Sequence, residues 1–272
     1  MVEAHAAAHF VISHTFGTAR AHIFPSAAGL GAAAADEAAA VIGAAIASAG
    51  RARIIIATGN SQLELIAVLT RRVDLNWEAV EVFHMDEYLG LKASDPSSFR
   101  YWIRTHVENV SHPAQVHYLA GDADDLEGEI QRYSELLVRA PTDLALVGFG
   151  ENGHIAFNDP GTADFADPAI VKRVTLDEAC LRQQVSEGHF ADLDSTPKQA
   201  LTLTCPALFR AQAWICCVSD ARKAKAVRNA FEGPISTACP ASIVRTHPNA
   251  SVYLDRAAAA LLRTLPALGA RM

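Results

Sequence analysis

Short apolar runs alternate with longer segments of helical periodicity along most of the chain. Residues 53–57 form an apolar run without polar alternation, which is typical of a strand covered on both faces. The pattern predicts strands at 53–57, 80–84, 143–148, 214–218 and 252–254. Helices are predicted at 28–49, 61–72, 126–139, 221–231 and 256–265. This alternation predicts an α/β fold with a doubly wound, mostly parallel sheet and helices on both faces.

The sequence pattern divides the chain into a short N-terminal extension and one domain. Residues 1–19 lack a strong pattern and are interpreted as an N-terminal extension, and residues 20–272 as a single domain without an internal linker. With 50% apolar and 19% charged residues, the chain can bury a substantial core, which excludes disorder of the whole chain.

The charge distribution argues against polymeric partners. The net charge is −7 with the signs interspersed, so we expect neither a nucleic-acid nor an anionic-membrane surface, but a small-molecule ligand. The longest uncharged apolar stretch, 38–50, is shorter than the roughly 20 residues of a membrane helix. A homo-oligomer is compatible with the sequence, which does not determine the oligomeric state.

Cysteine usage and the N-terminus indicate the compartment. The five cysteines are scattered and include no C-x-x-C pair, which favours a reducing environment over a disulfide framework or a zinc knuckle. The first basic residue is Arg20, so the basic start of a signal or transit peptide is missing. We therefore expect a soluble, cytoplasmic protein.

The turn after the first predicted strand is a candidate anion site. Thr58, Gly59, Asn60 and Ser61 follow the strand, and Ser61 and Glu64 have the spacing of a capping box. The N–H groups at the start of a helix suit a phosphate, although an ordinary capped turn has the same pattern. No Gly-Lys-Ser/Thr follows, so this is not a Walker P-loop.

Two carboxylates, Asp86 and Glu87, follow the next strand. Burying an unpaired carboxylate is costly, so the pair needs a polar site or solvent. A partly desolvated carboxylate has a raised pKa and can remove a proton next to a carbonyl or imine. The alternative is that the two carboxylates form a structural pair that caps a neighbouring helix. Nearby His84 provides no metal-ligand spacing, and we predict no metal.

A glycine-rich segment follows the third strand. Residues 148–153 match the G-x-G-x-x-G dinucleotide fingerprint, but 159–161 break the helix that this fingerprint should open. What remains is a turn carrying Asn152, His154 and Asp159. Because a nearby carboxylate orients a histidine and raises its pKa, His154 is a candidate acid–base group, the alternative being a buried structural histidine.

Lys223 lies near the start of the helix that follows the fourth strand. A cation in the first turn opposes the helix dipole unless an anion is present, so Lys223 is a candidate ligand for an anion. Neighbouring Arg222 and Lys225 leave open that the segment is simply a solvated basic face.

Together these segments resemble the glucosamine-6-phosphate deaminase (isomerase) family in order and spacing. The resemblance is carried by Thr-Gly-Asn-Ser at 58–61, Met-Asp-Glu-Tyr-Leu-Gly-Leu at 85–91 and Asn-Gly-His-Ile-Ala-Phe-Asn-Asp-Pro-Gly at 152–161. It continues with Ala-Leu-Thr at 200–202, Arg-Lys-Ala at 222–224, Glu-Gly at 232–233 and His-Pro at 247–248, and spans about 21–265.

The resemblance implies a Rossmann-like sheet and the conversion of glucosamine 6-phosphate and water to fructose 6-phosphate and ammonia, without an organic cofactor. By motif position, Asp86 corresponds to the carboxylate that moves a proton between C2 and C1. His154 corresponds to the acid–base group of ring opening, with Asn152 and Asp159 supporting it. The phosphate site would comprise Thr58, Gly59, Asn60, Ser61 and Lys223, and Glu87 and Gly153 would complete the pocket.

Two positions depart from the family pattern. Asp159 stands where the family usually has glutamate, which shortens the reach toward His154 by one methylene. A phosphate-binding arginine of the family falls near Gln184 in this chain, and Arg182 is the candidate substitute.

Three alternatives remain open. A 6-phosphogluconolactonase shares the implied fold, but Ile155-Ala156-Phe157-Asn158 follows His154 where lactonases typically have Thr-Ala-Ser and Phe-Pro. Another hexosamine 6-phosphate, such as the galactosamine epimer, is a second alternative. The third is a non-catalytic sugar-phosphate sensor, although the first 19 residues contain no Lys or Arg for a DNA-binding motif.

Overall fold

A mostly parallel sheet of eight strands forms the centre of the computed structural model, which describes residues 12–264. The strand order is β1-β2-β11-β10-β7-β3-β4-β6, and β1 runs antiparallel to β2 while the other neighbours are parallel. The strands are β1 (Ile12–Phe16), β2 (Ala19–Phe24), β3 (Ala52–Ile56), β4 (Val80–His84), β5 (Asp86–Tyr88), β6 (Gln115–His117), β7 (Leu144–Val147), β8 (Val171–Thr175), β9 (Gln199–Leu203), β10 (Ala213–Val218) and β11 (Ala250–Asp255).

Helices cover both faces of this sheet. The helices are α1 (Ala27–Ala49), α2 (Leu63–Leu69), α3 (Phe99–Ile103), α4 (Asn109–Ser111), α5 (Leu126–Val138), α6 (Glu178–Ser186), α7 (Cys205–Phe209) and α8 (Ala224–Glu232). A π-helical turn, Arg104–Glu108, joins α3 to α4, and short 3-10 turns lie at Asn60–Gln62, Trp77–Ala79, Ala221–Lys223 and Pro240–Thr246. The predicted α/β class with helices on both faces is confirmed.

Successive residues of the central strands contribute to two separate cores. In β3, Ile55 packs on the side of α5 and α8, while Ile54 and Ile56 pack on the side of α1 and α2. Side chains of a strand point alternately to opposite faces, so a strand covered on both sides must be apolar throughout. The uninterrupted apolar run predicted this arrangement.

The long helix α1 is a core helix of the sheet. By length and composition alone it could cross a membrane, with a hydropathy of 1.5 over its most apolar window. Its buried side chains, such as Leu30, Ala38 and Ile42, pack in the same core as α2 and β3. This face of the helix is therefore part of the core, and 39% of the most apolar window is buried.

A second sheet of three antiparallel strands, in the order β5-β9-β8, was not predicted. Asp86 pairs with Thr202, and Lys172 pairs with Thr202 from the other side. The mixed polar and apolar residues of these short strands hid them in the sequence. This sheet nonetheless matters to the site, because it carries Asp86 directly beyond the end of β4.

Both ends of the described chain differ from the sequence interpretation. Part of the segment interpreted as an extension, Ile12–Phe16, forms β1 and pairs with β2, whereas residues 1–11 lie outside the described residues. The predicted helix at 256–265 is wrong over 256–261, which form turns, and its last residue lies outside the described part. Asp255 accepts the N–H of Ala258 within these turns, and Glu232 accepts the N–H groups of Arg263 and Thr264 just after them.

The strand order creates a crevice at the centre of the sheet. From β3 the chain adds β4 and β6 on one side, and then adds β7, β10 and β11 on the other. The connections after β3 and β7 therefore leave the sheet in opposite directions, and ligands of doubly wound sheets bind at such a point.

Candidate active site

A cavity lies at this crevice, beyond the carboxyl ends of β3, β4, β7 and β10. Seven of the predicted site residues line it: Thr58, Gly59, Asn60, Ser61, Asp86, His154 and Lys223. Segments that are far apart in sequence thus meet along one cavity. The same cavity is lined by Gln183, Gln184, Glu187 and His189, which were not predicted as site residues.

Asp86 faces the cavity because of strand geometry. It is the first residue of β5, and its carboxylate accepts no hydrogen bond from any side chain of residues 12–264. Burial, reinforced by the negative charge of Glu87, raises the pKa of Asp86 well above its ordinary value. A carboxylate with a raised pKa and no internal donor is suited to take up a proton.

Glu87 points away from the cavity, since neighbouring strand residues face opposite sides. Its buried carboxylate accepts the hydroxyl of Ser98 at 2.6 Å and the backbone N–H of Arg100 at 2.9 Å. The guanidinium of Arg100 lies 3.3 Å from the same oxygen. Glu87 therefore anchors the start of α3 and does not line the cavity, contrary to the sequence prediction.

His154 is held from behind by Asp159. Nδ1 of His154 lies 2.9 Å from Oδ1 of Asp159, so the shorter side chain does reach the histidine. Burial raises the pKa of Asp159, but the close approach and charge of His154, with the amide of Asn152, outweigh burial and lower that pKa below its ordinary value. An ionised Asp159 orients the ring with Nδ1 toward it, which leaves Nε2 for a ligand.

Asn152 completes this arrangement without lining the cavity. Its amide donates to Asp159 at 3.0 Å and to Asp177 at 3.1 Å, and its oxygen accepts the N–H of His154 at 3.0 Å. Asn152 thus fixes both the carboxylate and the backbone of the histidine.

At two positions of the 148–153 segment, steric constraints require glycine. A Cβ at Gly150 would lie 2.3 Å from the ring of His154, and Gly153 has a φ of 87° with Cys239 Sγ 2.7 Å from its Cβ position. Gly153 therefore shapes the turn and does not line the cavity. The dinucleotide-like pattern is explained by close packing around His154.

Gln62 positions the turn at 58–61 and was not predicted. Its fully buried amide donates to the backbone oxygens of Val147 at 3.2 Å and Cys217 at 3.4 Å. These oxygens end β7 and β10, so Gln62 ties the turn to the two neighbouring strands. The capping box predicted from Ser61 and Glu64 is wrong, because no side chain caps the Asn60–Gln62 turn or the start of α2.

Arg182 does not reach the cavity. Its side chain is 68% exposed and pairs with Glu178 one turn earlier on α6. Gln184 lines the cavity instead, and its oxygen accepts the hydroxyl of Tyr88 at 2.6 Å. Among the described residues that line the cavity, Lys223 is the only lysine or arginine.

Side chains near His154 include a candidate set of metal ligands. Ligand atoms of His154, Asp159 and Cys180 lie within 4.8 Å of one another. Burial, followed by the charges of Asp159 and Asp177, raises the pKa of the Cys180 thiol and disfavours the thiolate that binds metals. His84 was also examined in the sequence as a possible metal ligand next to Asp86. Its Nε2 accepts the N–H of Leu119 at 2.7 Å and is therefore already in use.

Comparison with known proteins agrees with this geometry. Residues 25–253 match the family described as glucosamine-6-phosphate isomerases/6-phosphogluconolactonase. The chain is 34% identical over 209 residues to glucosamine-6-phosphate deaminase of Lactobacillus delbrueckii subsp. bulgaricus, covering 76% of this chain and 86% of the relative. Glucosamine-6-phosphate deaminase 1 of Bacillus subtilis is 35% identical over 191 residues, covering 69% and 77%.

Solved structures show the same fold. A monomeric glucosamine-6-phosphate deaminase superposes with a TM-score of 0.80 at 31% identity, covering 89% of this chain and 99% of that one. The 6-phosphogluconolactonase of Trypanosoma brucei, at 18% identity, has a TM-score of 0.74 over 92% of this chain and all of its own. At 18% identity, the similarity to the lactonase shows a shared fold and nothing more. The chain belongs to the glucosamine-6-phosphate isomerase/6-phosphogluconolactonase family.

Proposed function

We propose that this protein is an enzyme that deaminates and isomerises an amino-sugar phosphate, converting glucosamine 6-phosphate and water to fructose 6-phosphate and ammonia. The observation that carries the proposal is the placement of Asp86 and His154 along one cavity with Lys223 and the turn at 58–61. Family membership supports the same substrate class.

In the proposed mechanism, Nε2 of the protonated His154 donates a proton to the ring oxygen as its bond to C1 breaks, and the C1 hydroxyl loses its proton to water to become the aldehyde. Asp159 stabilises the protonated imidazole while the sugar ring opens. The open chain has an aldehyde at C1, which makes the proton on C2 acidic.

Asp86 then acts as the proton shuttle. Its carboxylate takes the proton from C2 and returns it to C1 through an enolamine, while the C1 oxygen gains a proton and the amino group loses one, which leaves an imine at C2. Water hydrolyses the imine and releases ammonia. These steps are redox-neutral overall, and a neighbouring carboxylate suffices as the acid–base group.

The phosphate serves as a remote handle in this scheme. Lys223, Ser61 and the backbone of the 58–61 turn would bind it and thereby position C1 and C2 at Asp86. Binding energy from a non-reacting group is useful when it aligns the reacting atoms. We also propose that the protein works in the cytoplasm, because its substrate is a phosphorylated metabolite and all five cysteines are free.

The test is an assay of purified protein with glucosamine 6-phosphate that follows ammonia and fructose 6-phosphate. We expect stoichiometric formation of both products. Parallel reactions with galactosamine 6-phosphate and 6-phosphogluconolactone separate the alternatives. Hydrolysis of the lactone without ammonia release from either amino sugar would replace the deaminase by a lactonase, and turnover of the galactosamine epimer alone would change the substrate.

A further inference from the structure

Inside the cavity, the carboxylate of Glu187 lies on the ammonium group of Lys223. Oε1 of Glu187 is 3.0 Å from Nζ of Lys223, and the two side chains are only 8% and 6% exposed. Oε2 lies 3.6 Å from Nε2 of His189, and the amide of Gln183 donates to Oε1 at 2.9 Å. The cavity thus already contains an anion bound by three polar groups.

This anion is firmly ionised. Burial raises the pKa of Glu187, but His189 and Lys223 outweigh burial and lower the pKa to about 2. The charge of Lys223 is therefore neutralised by the protein itself near neutral pH. Asn60 of the phosphate turn also donates to the backbone oxygen of Glu187 at 3.4 Å, which brings residue 187 against the turn.

The groups around Glu187 are those that a phosphate would need. An ammonium group, an imidazole and an amide N–H bind carboxylate and phosphate oxygens alike. The cavity has a volume of about 70 Å³ in this state, room for about five water molecules. Glu187 occupies the position on Lys223 that a phosphate oxygen would take, and two anions sharing one lysine would repel each other.

We propose that Glu187 is an internal anion that occupies the phosphate subsite, and that the substrate must displace it from Lys223 to bind. This inference rests on the proposed function, because it takes the Lys223 subsite as the place of the phosphate. Glu187 then sets the affinity and selectivity of the site for anionic ligands. A ligand binds Lys223 only if its anionic group competes successfully with the carboxylate of Glu187.

Among the described residues that line the cavity there is no arginine, which strengthens the competition for Lys223. Gln184 is neutral, so Lys223 is the cation for which both anions compete. The residue can leave the subsite by a local change, because Glu187 follows the end of α6 and precedes Gly188, which has a φ of 82°.

Calorimetric titration with inorganic phosphate tests the proposal on the full chain. Glu187→Gln keeps the size of the side chain but removes its charge. If the closed state is 90–99% populated, this variant should bind phosphate about 10- to 100-fold more tightly than the original protein. Glu178→Gln is the matched control, since Glu178 lies on the same helix with an exposed partner, Arg182, and should leave phosphate affinity unchanged.

Two further variants make the outcome decisive. Glu187→Asp retains the charge with a shorter reach and should also bind phosphate more tightly, whereas Lys223→Met should lose phosphate binding in either background. Thermal melts identify a variant that does not fold. Phosphate affinities of Glu187→Gln and Glu187→Asp equal to or weaker than that of the original protein would overturn the proposal.

Enzyme kinetics separates this inference from the proposed function. With glucosamine 6-phosphate, Glu187→Gln should lower KM by the factor seen for phosphate. A gain in phosphate affinity without turnover of any amino-sugar phosphate would refute the deaminase and leave the internal anion standing. Turnover with unchanged KM and phosphate affinity would refute the internal anion and leave the deaminase standing.

Discussion

Asp86 occupies a position in which its charged form is unfavourable. The side chain is buried, and Glu87 adds a second negative charge beside it, so the pKa of Asp86 is raised well above its ordinary value. Between the pKa of the unfolded chain and that raised value, the unfolded state holds fewer protons than the native state. Native stability therefore falls as pH rises through this window, and the full penalty is present above it.

Replacing Asp86 by asparagine should separate stability from activity. Asp86→Asn removes the buried charge and should raise Tm near neutral pH, by about 2–4 °C for each kcal/mol gained. The same variant should lose about 10²–10⁴-fold in kcat, the usual contribution of a general base. Calorimetric melts and the ammonia assay check the two effects. Asp74→Asn, which alters an exposed pair with Arg72, is the control and should change neither quantity appreciably. Wild-type turnover by Asp86→Asn would exclude the base role.

The raised pKa of Asp86 also predicts the acidic limb of the pH profile. The carboxylate must be deprotonated to accept the C2 proton, so kcat/KM should fall as pH drops through the raised pKa. The midpoint should lie well above the ordinary aspartate value of 3.8. Initial rates at low substrate concentration across pH 4–9 (roughly the range in which native enzymes are stable) give this midpoint. A midpoint at the ordinary aspartate value would place the controlling proton elsewhere.

At the scale of single residues, the sequence predicted the groups that follow strands and missed those that reach the cavity from elsewhere. Asp86 and His154 were identified because a parallel sheet brings the ends of its strands together. Glu187 and His189 lie 36 and 34 positions before Lys223, and no periodicity of α6 indicates that its end folds back over the cavity. Arg182 was a wrong choice for the site because the helix turns it to the solvent.

At the scale of elements, the start of α3 depends on a single carboxylate from another strand. Glu87 of β5 accepts the N–H groups of Phe99 and Arg100 and the hydroxyl of Ser98, which is the N-cap of α3. This carboxylate satisfies N–H groups that have no partner within the helix. The contact also fixes β5, and with it the direction of Asp86.

Glu87→Gln should therefore destabilise the protein. The amide group of glutamine would point its own N–H groups at the N–H and O–H donors that now bond to the carboxylate. Each hydrogen bond to a charged group that is lost in this way costs about 1.5–3 kcal/mol. Urea unfolding followed by circular dichroism measures the change in the free energy of unfolding. Glu135→Gln, at an exposed helix position that pairs with Gln131, is the control and should unfold like the original protein. Equal urea midpoints for Glu87→Gln and the control would show that this anchor is dispensable.

The helices and strands were predictable where burial of apolar side chains alone determines the element. The central strands β3, β7 and β10 are apolar apart from Arg53, and α1 is an uninterrupted alanine-rich helix. The small sheet of β5, β8 and β9 escaped prediction, because its strands acquire their conformation from pairing with one another. The terminal segment at 256–261 has helical composition, but it forms turns in which the side chain of Asp255 accepts the N–H of Ala258.

At the scale of the whole molecule, the two cores explain how five thiols remain unpaired. Cys216 and Cys217 are neighbours on β10, yet they face opposite sides of the sheet and pack in different cores. The remaining cysteines, Cys180, Cys205 and Cys239, are also buried. The scattered spacing in the sequence indicated reduced cysteines, while only the fold shows that the sheet itself separates the adjacent pair.

Burial of these cysteines predicts how the folded protein reacts with thiol reagents. Burial raises the pKa of every one of them, to about 12 for Cys205, and the thiolate is the reactive form. In the native state all five should react very slowly with Ellman's reagent, and all five should react rapidly once guanidinium unfolds the chain. The slow native rate should follow the rate of unfolding, because each thiol becomes accessible only when the core opens. Rapid reaction of one thiol in the folded protein would identify a local opening, and a Cys239→Ser variant tests the least deeply buried position first.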